Sequence, residues 1–290
     1  GSRSMFQHTV DRASHLTPPE RTMAVIARSH QREALAQLQQ SHGGTLLVQP
    51  SNRDTAAGVY LPLASIRARD PNATVVLFPS DHFVYPEERF LAVVQQAVST
   101  AEGFPDRLVL LGVQPDRLEL EYGWIQPGSP LVKTPDGPVR AISSFLEKPS
   151  AAQADAALRS GALWNTLVLT AKVNALWTIG WECFPDLMSL FERLGQAVDQ
   201  PDEGRVLESI YRQMPAYNFS SALLQRAPAR VAVIELTGVL WSDWGRPERI
   251  MDMLRRIDRK PAFPLACLDR PFAPIAAMVR DSRVTANARG

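Results

Sequence analysis

One unbroken apolar run, Val75-Val76-Leu77-Phe78, stops abruptly at Pro79-Ser80-Asp81-His82. A run without alternation has no wet face, so it reads as a strand covered on both sides, which requires a sheet with helices packed above and below it. A similar design returns late in the chain, where Val233-Ile234-Glu235-Leu236 is followed by Trp241-Ser242-Asp243-Trp244-Gly245. Each segment delivers an Asp at or just beyond a strand. Ligands of open α/β sheets bind outside strand C-termini, so Asp81 stands where chemistry is expected. Brought together, two such carboxylates could hold one divalent cation. Taken singly, Asp81 reads as a turn or cap residue, and Asp243 as the cap of the helix that follows it.

The remaining chain has an α/β rhythm. Met23–Ala27 and Thr45–Val48 are short apolar runs, and Ser29–Gln40 between them carries Leu35 and Leu38 at helical spacing before Gly43-Gly44, which predicts a βαβ unit. After Pro86, the first-turn residues Glu87 and Glu88 start a helix whose apolar face is Phe90, Leu91, Val94 and Val98. Leu108–Val113 is the next buried strand. From Tyr122 to Phe145, breaks at Pro127-Gly128, Pro130 and Pro135-Asp136-Gly137-Pro138 predict a hairpin-rich subregion. Further on, the sequence predicts a helix over Ala151–Ser160 stopped by Gly161, a strand over Leu163–Ala171, and helical structure from Leu187 to Tyr211 interrupted near Asp199–Asp202. Val231–Leu236 follows as a strand, and a helix after Pro247 carries Ile250, Leu254 and Ile257. Beyond Pro261 the prolines and polar residues predict a loosely packed, partly disordered tail over 261–290.

Composition narrows the function classes. Lys plus Arg number 31 against 30 Asp plus Glu, a net charge of +1, so no global field recruits nucleic acid or an anionic membrane. Cys183 and Cys267 are too few and too far apart for a disulfide framework or a Cys-based zinc site, and a reducing cytoplasm fits them. No window reaches the run of about 20 apolar residues that a membrane span needs. His8, His15, His30 and His42 lack ligand spacing and read as surface residues, whereas His82 reads as a support for Asp81.

Between the two Asp segments lie Tyr122-Gly123-Trp124-Ile125, Phe145-Leu146-Glu147-Lys148-Pro149 and Trp164-Asn165-Thr166, and ahead of both lies Gln49-Pro50-Ser51-Asn52-Arg53-Asp54-Thr55-Ala56. This ordered set resembles the sugar-phosphate nucleotidyltransferases, in particular their mannose-1-phosphate guanylyltransferase members. The matching family patterns are Pro-Ala-Asp-His, Glu-Pro-x-x-Arg-Asn-Thr-Ala, Tyr-Gly-Tyr-Ile, Phe-x-Glu-Lys-Pro, Trp-Asn-Ser-Gly and Trp-x-Asp-x-Gly. The resemblance implies an α/β, Rossmann-like domain over 1–260 with a mixed, mostly parallel sheet flanked by helices and a small hairpin-rich sugar-side subregion. It implies nucleotidyl transfer from GTP to mannose 1-phosphate, giving GDP-mannose and pyrophosphate. The implied roles are Asp81 and Asp243 as Mg²⁺ ligands, Lys148 on the sugar phosphate, Asn52, Arg53 and Thr55 on the nucleotide, and Gly123, Glu147 and Asn165 on the sugar. The implied partners are GTP and a sugar 1-phosphate, with homo-oligomer formation left open.

Among the departures from the family patterns, Gln49 replaces Glu, Asp54 replaces Asn, Glu121 stands where Gly is usual, and Leu167 replaces Gly. The family also opens with a Gly-rich, Arg- and Lys-bearing phosphate loop, and nothing before Ser4-Met5-Phe6-Gln7 matches it. The expectation is therefore a domain incomplete at its N-terminus, with impaired catalysis. The alternatives are a catalytically silent nucleotide-sugar-binding or regulatory homologue and, more distantly, a glycosyltransferase.

Overall fold

A computed structural model describes residues 3–41, 43–134 and 137–261. Its elements run in the order α1 Met5–Ser14, β1 Met23–Ala27, α2 Gln31–Gln39, β2 Thr45–Gln49, α3 Asp54–Arg69, β3 Thr74–Leu77, β4 His82–Tyr85 and α4 Glu87–Gly103. There follow β5 Leu108–Val113, β6 Trp124–Thr134, β7 Gly137–Leu146, α5 Ala151–Arg159, β8 Leu163–Lys172, α6 Val173–Cys183, α7 Pro185–Ala197, α8 Glu203–Gln213, β9 Val231–Glu235, β10 Leu240–Asp243 and α9 Pro247–Arg256. Internal contacts divide the chain into two units between Trp241 and Ser242. The predicted tail lies outside the described residues, apart from Pro261.

In the larger unit, β1 and β2 pair in parallel around α2, as the βαβ pattern requires. Among the described residues a six-stranded mixed sheet has the order β3-β8-β5-β9-β7-β6. Its β5–β9 pair is parallel, while β8 runs antiparallel to β3 and to β5. Alternation sorts the central strands between two cores. Leu108 and Leu110 of β5 and Val231 and Val233 of β9 enter one core with α3, α6 and α7; Val109, Leu111, Ala232 and Ile234 enter the other with α4 and α5.

The run at β3 obeys the same rule: Val75 and Leu77 pack toward the first core, and Val76 and Phe78 toward the second. Its residues are nevertheless half-buried instead of fully buried, because β3 is the edge of the six-stranded sheet and, among the described residues, pairs there with β8 alone. Helix α5 begins with a capping box between Ser150 and Gln153 and ends before Gly161, whose φ of 75° suits the left-handed stop. The interruption at 199–202 separates α7 from α8. Helix α1 adds to the elements expected from periodicity, although Ser4 and Gln7 form a capping box legible in the sequence. Among the described residues no helix is long and apolar enough to cross a membrane.

Candidate functional site

Sheet register assembles the centre of the site. Trp124 at the start of β6 pairs with Leu146 at the end of β7 and with Trp164 in β8. One step further along each strand are Gly123, Glu147 and Asn165, so three segments far apart in sequence meet at one place. The Asn165 N–H donates to the Gly123 carbonyl at 2.8 Å. A Cβ built on Gly123 would lie 3.0 Å from Oε2 of Glu147, so the carboxylate rests against bare backbone. Burial raises the Glu147 carboxyl above its usual range, the Lys148 ammonium opposes the shift, and the charge of Asp54 adds to it. Asn165 is buried, and its Oδ1 accepts the N–H of Leu167 at 3.0 Å.

The turn entering α3 is held largely from within the protein. Asn52 Oδ1 accepts the Asp54 N–H, and Asp54 Oδ1 accepts the Thr55 N–H. The next donor, the Ala56 N–H, reaches the Tyr217 carbonyl at 3.0 Å. Arg53 Nε donates to the Tyr211 carbonyl at 2.9 Å, and Thr55 Oγ1 accepts the Phe219 N–H at 2.8 Å. Arg53 and Thr55, expected on the nucleotide, thus also fasten the segment from Tyr211 to Phe219. That segment has no local sequence signature; only the fold reveals it as the support of the turn.

Asp81 occupies the exposed turn between β3 and β4, and His82 beside it is buried. Trp241 Nε1 donates to His82 Nδ1 at 3.2 Å, which leaves Nε2, 3.9 Å from Asp81 Oδ1, to carry the proton of a neutral ring. Burial, then the nearby Arg12 guanidinium, pushes the His82 pKa down to about 3. Aromatic contacts continue from His82 to Trp241, to Tyr122 and to Trp164, with ring centroids 5.1, 5.3 and 5.2 Å apart. A continuous chain of ring contacts therefore runs from the Asp81 turn to the neighbours of Gly123 and Asn165. Helix α1 backs this turn: Thr9 Oγ1 donates to the Ser80 carbonyl at 3.4 Å, and buried Arg12 pairs with Glu87 at 3.0 Å.

In the smaller unit Asp243 ends β10, and its Oδ1 accepts Nη1 of Arg249 at 2.5 Å. Arg249 is almost fully buried in α9, whereas Asp243 keeps partial exposure. Arg249 belongs to no motif, and only the fold brings it to the carboxylate. As hard oxygen donors on exposed or partly exposed carboxylates, Asp81 and Asp243 each fit Mg²⁺ in kind. Among the described residues no cluster of three or more His, Cys, Asp or Glu forms a metal site. His8, His15 and His30 lie at the surface, and His42 lies outside the described residues.

A sheet-and-helix domain with polar motif residues gathered at strand ends places its candidate site where ligands of α/β sheets bind. The chain belongs to the nucleotidyl transferase family, whose profile matches residues 1–260. It is 29% identical over 253 residues to a mannose-1-phosphate guanylyltransferase of Sinorhizobium fredii, covering 84% of this chain and 47% of that protein. The Escherichia coli K12 protein of the same name is 27% identical, with 84% of this chain and 52% of that protein covered. The xanthan biosynthesis protein XanB of Xanthomonas campestris is 30% identical, with 87% and 53% covered. The chain thus spans about half the length of the curated relatives it matches. Among solved structures, a mannose-1-phosphate geranyltransferase from Thermus thermophilus superposes with a TM-score of 0.74 at 26% identity, covering 89% of this chain and 70% of that one.

Proposed function

We propose that the chain is a sugar-phosphate nucleotidyltransferase unit that transfers a guanylyl group from GTP to mannose 1-phosphate. The observation that carries the reading is the junction of Gly123, Glu147 and Asn165, built by register from three family motifs. In the reaction a phosphate oxygen of mannose 1-phosphate attacks the α-phosphorus of GTP in line. A new P–O bond forms, the α–β bridge breaks, and pyrophosphate leaves with GDP-mannose as the other product. Glu147 accepts hydrogen bonds from sugar hydroxyls, Gly123 lets that carboxylate close on the main chain beside the sugar, and Asn165 borders the same junction. Lys148, the next residue, meets the sugar phosphate as a point charge. Asn52, Arg53 and Thr55 form the nucleotide side.

Asp81 and Asp243 are each proposed, from their motifs, as a Mg²⁺ ligand; when bound, the ion neutralises charge gathering on the phosphate oxygens. The 290 residues contain no Gly-rich segment flanked by Arg and Lys to hold the β- and γ-phosphates, so slow turnover by this polypeptide is part of the proposal. A second reading, a catalytically silent binder of nucleotide sugars, is favoured by one observation: the Asp243 carboxylate is already engaged by Arg249. Pyrophosphate release across a panel of nucleotides and sugar phosphates, with and without Mg²⁺, separates the two when combined with titration of GDP-mannose. Binding without any release supports the silent reading, and release with other pairs but not with GTP and mannose 1-phosphate rejects the proposed substrates.

A further inference from the structure

Five non-glycine residues among those described have a positive φ, among them Asp54 at 61°, Lys148 at 45° and Leu167 at 54°, and the last two adjoin Glu147 and Asn165 of the junction. Left-handed backbone is unfavourable for an L-residue, and such strain persists where neighbouring structure enforces it. Lys148 is the most unusual of the three, because it precedes Pro149, and the proline ring drives the preceding residue toward extended backbone. A hydrogen bond reaches the turn from outside it. The N–H of Glu147 donates to Oε1 of Gln225 at 2.9 Å.

Gln225 directly follows a π-helical turn over Ser220–Leu224, and its own N–H is fixed to the Ser220 carbonyl at 2.9 Å. Single π turns recur at functional sites because they re-aim the residues beside them. The stretch just before it, from Tyr211 to Phe219, fastens the 53–56 turn. One strap therefore supports the nucleotide-side and sugar-side segments together.

We propose that Gln225 is a positioning residue, which accepts the Glu147 N–H and so holds the Glu147-Lys148-Pro149 turn in its left-handed form with the Glu147 carboxylate against Gly123. This rests on the reading of the junction as a sugar 1-phosphate site. Gln225 itself touches no substrate; it prearranges the carboxylate and the ammonium so that binding need not order them.

The test uses the 290-residue chain with Gln225→Leu, which removes the acceptor, and Gln225→Glu, which keeps an oxygen there. Amide hydrogen exchange at Glu147 is measured without ligand, and mannose 1-phosphate and GTP are titrated separately. Gln225→Leu is expected to speed exchange at Glu147 by about tenfold and to weaken mannose 1-phosphate by a similar factor, the size of one hydrogen bond, with GTP affinity and the thermal midpoint held. Gln225→Glu should restore the protection. Unchanged exchange in Gln225→Leu, or equal weakening of both ligands, overturns the assignment. A parent chain that binds neither ligand removes the substrate reading instead, and the exchange measurement still decides whether Gln225 holds the turn.

Discussion

Gly123 and Glu147 are packed so closely that a single added methyl would reach the carboxylate: the built Cβ lies 3.0 Å from Glu147 Oε2 and 2.8 Å from Cζ of buried Phe145. Gly123→Ala must therefore displace a ring in the core or the carboxylate beside it. Overpacking of this kind costs about 1–3 kcal/mol. Chemical denaturation should show that loss, and titration should show weaker mannose 1-phosphate binding with GTP little changed. A variant with parental stability and parental sugar-phosphate affinity would show that the close approach has no role.

Lys148 separates backbone strain from charge. Lys148→Ala keeps the strained backbone, whereas Lys148→Gly relieves about 1–2 kcal/mol of left-handed cost while giving back about 0.5–1 kcal/mol of unfolded-state entropy. The Gly variant should be the more stable of the two by about 1 kcal/mol in denaturant titrations, and both should lose mannose 1-phosphate affinity. Equal stabilities would mean that the turn relaxes without cost.

His82 sets a pH dependence of stability. Its folded-state pKa is pushed from 6.5 to about 3 by burial and by Arg12, so the unfolded chain takes up a proton that the folded chain refuses. The stabilisation is complete above pH of about 6.5 and is lost as pH falls from there toward 3, at up to about 1.4 kcal/mol per unit. Urea midpoints measured from pH 7 to pH 4 should fall more steeply for the parent than for His82→Gln. Parallel slopes would mean that the ring is not held neutral.

Asp243→Asn tests a carboxylate with two claims on it. From the motif alone the change is expected to spare folding, since the carboxylate acts on an ion. The ion pair with nearly buried Arg249 revises that expectation, because Asn leaves the guanidinium facing a neutral amide. A loss of about 1–3 kcal/mol in stability is expected, together with a large fall in whatever Mg²⁺-dependent pyrophosphate release the parent shows. Unchanged release in the Asn variant would remove Asp243 from the metal role.

What could be read from the chain alone was whatever leaves a periodic or local trace. The unbroken runs at 75–78 and 108–113 announced strands with two apolar faces, and the Pro- and Gly-broken stretch from Tyr122 to Phe145 announced the hairpin of β6 and β7. Ordered motifs pointed to the residues of the junction, because close backbone approach and sugar or phosphate recognition demand particular side chains at particular places. The edge position of β3 had no such trace, since coverage of a strand depends on which strand lies next to it. Nor could the sequence reveal that Gln225 reaches Glu147 across 78 positions, or that Arg53 and Thr55 brace the segment from Tyr211 to Phe219. Those contacts are single hydrogen bonds between polar groups at the surface of packed elements. They have no period and no composition, and only the folded chain brings their partners within reach.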